Sequence, residues 1–393
     1  MKRTLSFLFF LSVTSVTFTA ATPGFGQAAP QTKRPQGYYK VIPLRGATVN
    51  EARISAAAAT TIPLWDFSIT SPVDNLSYTG MMVGRSPFFH GARTTNVPTI
   101  IVPIKLVMPD GGVFDPTAAD PACSPSGTAL TLVQASPILQ SATFTMGGTA
   151  VGTTQYTDAY QRSNFWTNVS VTGDRYHTML SPVTTVGVVT VTVPKGSGTT
   201  NTSGGCGKIG VMDINWWQPQ VEGTIIPSLA AQGVNPATLP IFLFYNVVMT
   251  QGTPTLTGAT CCILGYHTAF GQIQTYSVSD FDTTTIFGPT TAAIAAMSHE
   301  VGEWMDDPLG SNLTPAWGNI GQVTTCQLPS NLEVGDPLSG TFMPPVAMPN
   351  GVSYTPQELA FYSWFFRQSP SIGVNGWYSD NGTFTTGAGP VCH

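Results

Sequence analysis

The chain has 393 residues, 42% of them apolar and only 9% charged, with a net charge of −5, 40 glycines and 32 prolines. From Ile209 onward twelve acidic residues stand against one basic residue, Arg367, which excludes a phosphate-binding, nucleic-acid partner for that half and suits a cation instead. Past the N-terminus no stretch reaches the roughly 18 uninterrupted apolar residues of a membrane span. The expected class is therefore a soluble, exported protein rich in strands and loops.

In chain order, Lys2 and Arg3 precede the apolar run Leu5–Phe18, and small residues follow. This is the pattern of a signal peptide over 1–28, with cleavage after Ala21 or Ala28, and it places the mature protein in the periplasm or outside the cell. Residues 29–60 carry Pro, Gln, Lys, Arg and an alanine run, and read as an N-terminal arm or short pro-segment. A β-rich region is expected over 61–204. Its strands fall at Pro98–Met108, Phe165–Thr172 and Val183–Val193, and the turn residues Pro109-Asp110-Gly111-Gly112 close the first. The Gly/Ser/Thr-rich stretch Lys195–Gly207 marks the best boundary.

Beyond it, over 205–393, strands are expected at Pro240–Met249, Cys261–Phe270 and Gln272–Val278, the last two joined at Gly271. Gly288-Pro289-Thr290 then switches the periodicity to helical, with Thr290 as N-cap, and Asp306-Asp307-Pro308 ends the helix. A second helix is expected from Thr355-Pro356-Gln357-Glu358, a capping box with proline in the first turn, with Leu359, Tyr362, Phe365 and Phe366 on its apolar face. Six cysteines (Cys123, Cys206, Cys261, Cys262, Cys326, Cys392) fit an oxidising compartment and up to three disulfides. A bond between the adjacent Cys261 and Cys262 would be strained, so each is expected to pair elsewhere, with Cys326 and Cys392 as candidates.

The helix Thr290–Trp304 carries the chemistry. It contains His299-Glu300-Val301-Gly302-Glu303, in a chain with five histidines and six glutamates overall. Positions i and i+4 share a helical face, so His299 and Glu303 can grip one ion while Glu300 points at its bound water. This is the zinc-peptidase pattern H-E-x-x-H with its second histidine replaced by glutamate. A third ligand is needed, and Glu333 in Leu332-Glu333-Val334-Gly335-Asp336 is the first choice, Asp336 the second and Asp307 the third. Asp336 can instead hydrogen-bond His299 and fix its ring. His267 can join His299 and Glu303 in a two-histidine, one-carboxylate set for zinc or ferrous iron. Tyr266 or His267 can steady an oxyanion, and Glu300 is the general base. The leading expectation is a zinc-dependent hydrolase acting on peptide, protein or cell-wall material. The alternative is a non-catalytic extracellular or wall-associated binding protein with a structural ion such as calcium. Trp216-Trp217, Trp364 and Trp377-Tyr378 would then stack on sugar rings.

These residues resemble a known family. Ser298-His299-Glu300-Val301-Gly302-Glu303 with Asp307-Pro308 is similar to the S-H-E-x-x-E-x-x-x-D-P signature of the plant EXORDIUM (phosphate-induced protein) family and its bacterial relatives. Gly265-Tyr266-His267 resembles that family's C-G-Y/W-H strand, with Leu264 in place of the cysteine. Glu333-Val334-Gly335-Asp336 resembles its E-I-G-D element, and Tyr354–Trp364 loosely its Y-x-x-Q-x-x-W segment. The resemblance covers about Phe242–Trp364. It implies a secreted α+β protein with a zincin-like fold, in which a mixed sheet covers an active-site helix bearing an H-E-x-x-E site.

Overall fold

The structure is a computed structural model, and it describes residues 35–44, 60–89, 94–173, 175–202, 205–258, 260–271, 273–288, 293–326, 328–387, 389 and 392. The expected signal peptide and Thr290 lie outside these residues. So does the arm, except for 35–44 and residue 60.

The molecule is mixed α+β, built on one eleven-stranded sheet. In chain order the strands are β1 (Tyr38–Ile42), β2 (Leu64–Thr70), β3 (Ser77–Val83), β4 (Thr95–Val107) and β5 (Val113–Phe114). There follow β6 (Ala142–Met146), β7 (Thr149–Thr154), β8 (Thr178–Thr185), β9 (Val189–Thr192) and β10 (Gly198–Asn201). Then come β11 (Ile209–Asp213), β12 (Leu239–Tyr245), β13 (Val247–Thr250), β14 (Cys261–Phe270) and β15 (Gln274–Phe281), and four two-residue strands follow them. The main path runs β10-β11-β13-β14-β15-β12-β4-β5, with β8 and β9 added to β4 and β1 added to β14. Strands from both sides of the Lys195–Gly207 stretch share this sheet, so the division expected at 204/205 runs through a single element.

The sheet is covered on both faces, as the continuous apolar run in β12 demands. Ile241, Leu243 and Tyr245 point into one core with Met297, Val301, Trp304 and Met305 of the helix Ala295–Asp306. Phe242 and Phe244 point into the other, against Trp217, Tyr266, Tyr276 and Val278. The same alternation on β14 sends His267 to the helix side and Tyr266 away from it. The helix lies on β14 and β15, ends at Asp306 as expected, and opens at Ala295 with Ile294 in the cap position.

Several expectations fail here. Phe165–Thr172 is helical, as Trp166–Val169 and Ser170–Thr172, and the buried helix Tyr156–Asn164 precedes it. The capping box at Thr355 does not start a helix, and only Tyr362–Phe365 is helical. Gln357 and Glu358 are instead drawn into tertiary hydrogen bonds, and a local start signal gives way when its polar side chains find buried partners. The disulfides are Cys123–Cys206, Cys326–Cys392 and the adjacent pair Cys261–Cys262. The expectation that Cys261 and Cys262 pair elsewhere is therefore corrected: a cis peptide joins them, with their Cα atoms 3.0 Å apart. Among the described residues no helix is long and apolar enough to cross a membrane.

Candidate metal centre

The helix Ala295–Asp306 is buried along its whole length, and it presents His299, Glu300 and Glu303 to β14 and to the loop 333–336. His299 Nε2 lies 2.9 Å from Glu303 Oε1 and 3.5 Å from Asp336 Oδ1. The 2.9 Å approach lacks hydrogen-bond geometry, and Nε2 has no hydrogen-bond partner. The other ring nitrogen is fixed. Gln357 Nε2 donates to the Gly335 carbonyl at 2.7 Å, so Gln357 Oε1 is the acceptor that faces His299 Nδ1 at 3.1 Å. With Nδ1 donating outward, Nε2 points inward, and with an ion bound it would offer its lone pair, the usual arrangement of a metal-ligating histidine. Gly335 is required for this packing, because a Cβ there would come within 2.4 Å of His299 Nδ1.

His267 is tied differently. Its Nε2 is 3.0 Å from the Asp307 carbonyl and its Nδ1 is 3.2 Å from Glu300 Oε2. A carbonyl only accepts, so Nε2 carries the proton and Nδ1 accepts one from Glu300. Burial depresses the His267 pKa to about 4, which keeps the ring neutral. Burial, reinforced by Glu303 and Asp336, also pushes the Glu300 carboxyl well above its ordinary range, so it holds the proton this contact needs. Glu300 Oε1 has no partner. Gly265 of β14 makes room for the side chain, since a Cβ there would lie 2.7 Å from Glu300 Cγ.

Glu333 is buried and neither of its carboxylate oxygens has a donor. Its Oε2 lies 3.9 Å from His267 Nε2. Burial first, then the charges of Glu303, Asp307 and Asp336, raise its pKa well above the carboxylate range. Asp336 is raised to about 7, again mainly by burial, and its Oδ1 accepts from Gln322 Nε2. For His299 burial favours the neutral ring, but Glu303, Asp336 and Glu300 outweigh it and raise the pKa. Glu303 is the counterpart: burial raises its pKa, while His299 overcomes this and lowers it.

Two sets of three side chains bring potential ligand atoms within 4.8 Å of one another: His299, Glu300 and Glu303, and His267, Glu303 and Glu333. Glu303 belongs to both. The donor chemistry fits a divalent cation. Three carboxyl groups and two imidazoles are packed out of water beside the partly accessible Asp336, with one nitrogen and three carboxyl oxygens left without partners, and such a group is costly unless a positive charge completes it.

The structure thus gathers His267, His299, Glu300, Glu303, Glu333 and Asp336 in one place. It does not bring Tyr266 there: that ring lies in the opposite core, 5.8 Å from Tyr276. Asp307 closes the helix, with its carboxylate accepting from the backbone of Ser311 and Asn312. Gln357, Gly335 and Gly265 were not singled out as functional from sequence. Tyr39 was also missed, and its ring stacks on His299 at 3.8 Å. The rival sugar-stacking surface is largely absent, because Trp217, Trp364 and Tyr378 are buried and only Trp216 and Trp377 are partly accessible. Comparison with known proteins finds no matching family model, no matching curated protein and no matching solved structure.

Proposed function

We propose that the protein is a secreted metal-dependent hydrolase, with zinc as its ion and peptide bonds as its target. His299 and Glu303 would hold the ion, with Asp336 beside them and Glu333 grouped with Glu303 on its other side. The observation that carries this reading is that His299 Nε2 and both carboxyl oxygens of Glu333, on either side of Glu303, lack hydrogen-bond partners. A bound zinc supplies a Lewis acid and a water acidic enough to be deprotonated near neutral pH.

The chain's own groups provide the rest. Glu300 has one oxygen turned to the cluster and the other on His267 Nδ1; a cation beside it would favour the ionised carboxylate, which could then take a proton from water. That is the general-base role, and the raised pKa makes the same carboxyl a competent proton donor to a leaving amine. His267 holds Glu300 in place and is itself anchored on the Asp307 carbonyl. Tyr266 has no part in the reaction. The resemblance to EXORDIUM-family motifs bears on the H-E-x-x-E site and not on the reaction, and the disulfides suit an exported protein. The decisive comparison is wild type against Glu300→Gln on an unstructured peptide library. The variant should keep its zinc and lose cleavage by about a hundredfold or more. Equal cleavage by the two proteins would remove Glu300 from the mechanism.

A further inference from the structure

Beside the metal centre, β14 has an edge that its sheet neighbours leave open. Its partner β13 pairs with it only at Cys261 and Ile263. From there to Thr268 the edge is taken by β1, in parallel, with Tyr39 opposite Gly265, Lys40 opposite Tyr266 and Val41 opposite His267. This short strand comes from the segment whose composition reads as an arm or pro-segment.

Its contacts are with the reactive groups themselves. The Tyr39 ring lies face-on to His299, 3.8 Å between centroids at an interplanar angle of 22°. The Lys40 backbone amide faces the Glu300 carboxyl and favours its charged form. Val41 forms part of the wall of a cavity of about 70 Å³ that reaches Glu333 and Asp336. Tyr39 is clamped from the other side by one residue: its amide donates to Gln322 Oε1 and its carbonyl accepts from Gln322 Nε2, both at 2.9 Å. That same Gln322 Nε2 donates to Asp336. The cavity is too small to admit a polypeptide, and His299 and Glu300 are fully buried beneath the strand.

We infer that the β14 edge is a receptor for an extended polypeptide strand and that Tyr38–Ile42 is its occupant in cis, which keeps the centre closed until the arm is withdrawn. Strand addition reads the backbone and tolerates varied side chains, so the substrate class is an extended or unfolded polypeptide, laid where β1 now lies. This extends the hydrolase reading and rests on it for the chemistry, though not for the strand occupancy.

The test inserts the recognition sequence of a site-specific protease between Leu44 and Thr60 of the full chain, which is folded, zinc-loaded and then cut. The arm fragment is removed by gel filtration, and a labelled synthetic peptide of residues 35–44 is titrated back. The inference expects saturable binding, weakened about tenfold by Tyr39→Ala in the peptide, the scale of losing a buried aromatic contact. It also expects faster zinc loss to a chelator from the arm-free protein, and peptide cleavage that the added 35–44 peptide suppresses. Lys40→Pro in the uncut chain, which deletes the amide facing Glu300, should speed zinc loss without any cutting and covers the case of a fragment that will not separate. Uncut protein that cleaves polypeptide as fast as cut protein, or arm-free protein that does not bind the peptide, would overturn the inference and leave the hydrolase reading intact. Peptide binding with no hydrolysis by either form would retain the strand receptor and reject the hydrolase.

Discussion

Two clusters of buried carboxyl groups lie against the helix Ala295–Asp306, and they differ in one respect. Around Asp306, Glu358 and Asp380 every carboxylate oxygen has a donor. Asp306 accepts from Tyr160, Gln161 and Asn164, Glu358 from Ser379 and Thr383, and Asp380 from Tyr156 and the Leu359 amide. Around Glu303 the oxygens of Glu333, one oxygen of Glu300 and His299 Nε2 have none. Burial of acids alone therefore does not mark a site. The first cluster is complete as protein and ties the helix to the C-terminal segment, whereas the second is left incomplete and could hold a cation.

The sharpest way to break this contrast is His299→Ala. It should abolish stoichiometric zinc binding, measured after dialysis against a weak chelator, while Asp306→Asn should leave zinc content unchanged. Equal zinc in both variants would mean that the unpartnered atoms do not define the seat. Next in size is Gln357→Ala, which touches no ion but frees His299 Nδ1. Losses of this kind weaken metal affinity about 10–100-fold, and competition with a fluorescent chelator would show whether Gln357 orients the ring or only packs.

Asp306→Asn tests the complete cluster from the other side. It turns an amide donor toward groups that themselves donate and should cost about 1–3 kcal/mol in thermal or urea unfolding. The smallest effect is on pH dependence. Burial raises Asp306 to about 7 and Asp380 well above its ordinary range, so the folded protein keeps protons that the unfolded chain releases near pH 4. The stability these groups contribute is present in full below the ordinary carboxylate range and is lost as pH rises through about 7. The unfolding midpoint of wild type should fall over that window, and less so in Asp306→Asn. A flat profile in both would show that Asp306 ionises normally.

Much of the site was legible because its chemistry is local. His299, Glu300 and Glu303 are fixed relative to one another by helical geometry, and the strands Pro240–Met249 and Cys261–Phe270 follow from unbroken apolar runs, though the first divides at Asn246 into β12 and β13. What escaped is what depends on distant parts of the chain. Gln357 was read as a helix-capping residue, and it became a partner of His299 from 58 residues away. Tyr39 reaches the centre only because β1 pairs with a strand more than two hundred residues later. Tyr266 was misassigned because strand alternation gives the two faces but not which of them meets the helix. Phe165–Thr172 read as a strand from its aromatic and β-branched content, and its tertiary setting makes it helical.

The central claim is that the cluster left incomplete by the protein holds an ion. The most direct measurement is the metal content of the purified full chain by mass spectrometry, produced without a metal-affinity tag and with His299→Ala alongside. The account predicts a single zinc per wild-type chain and none in the variant. Wild-type protein that stays metal-free after zinc is supplied would contradict it.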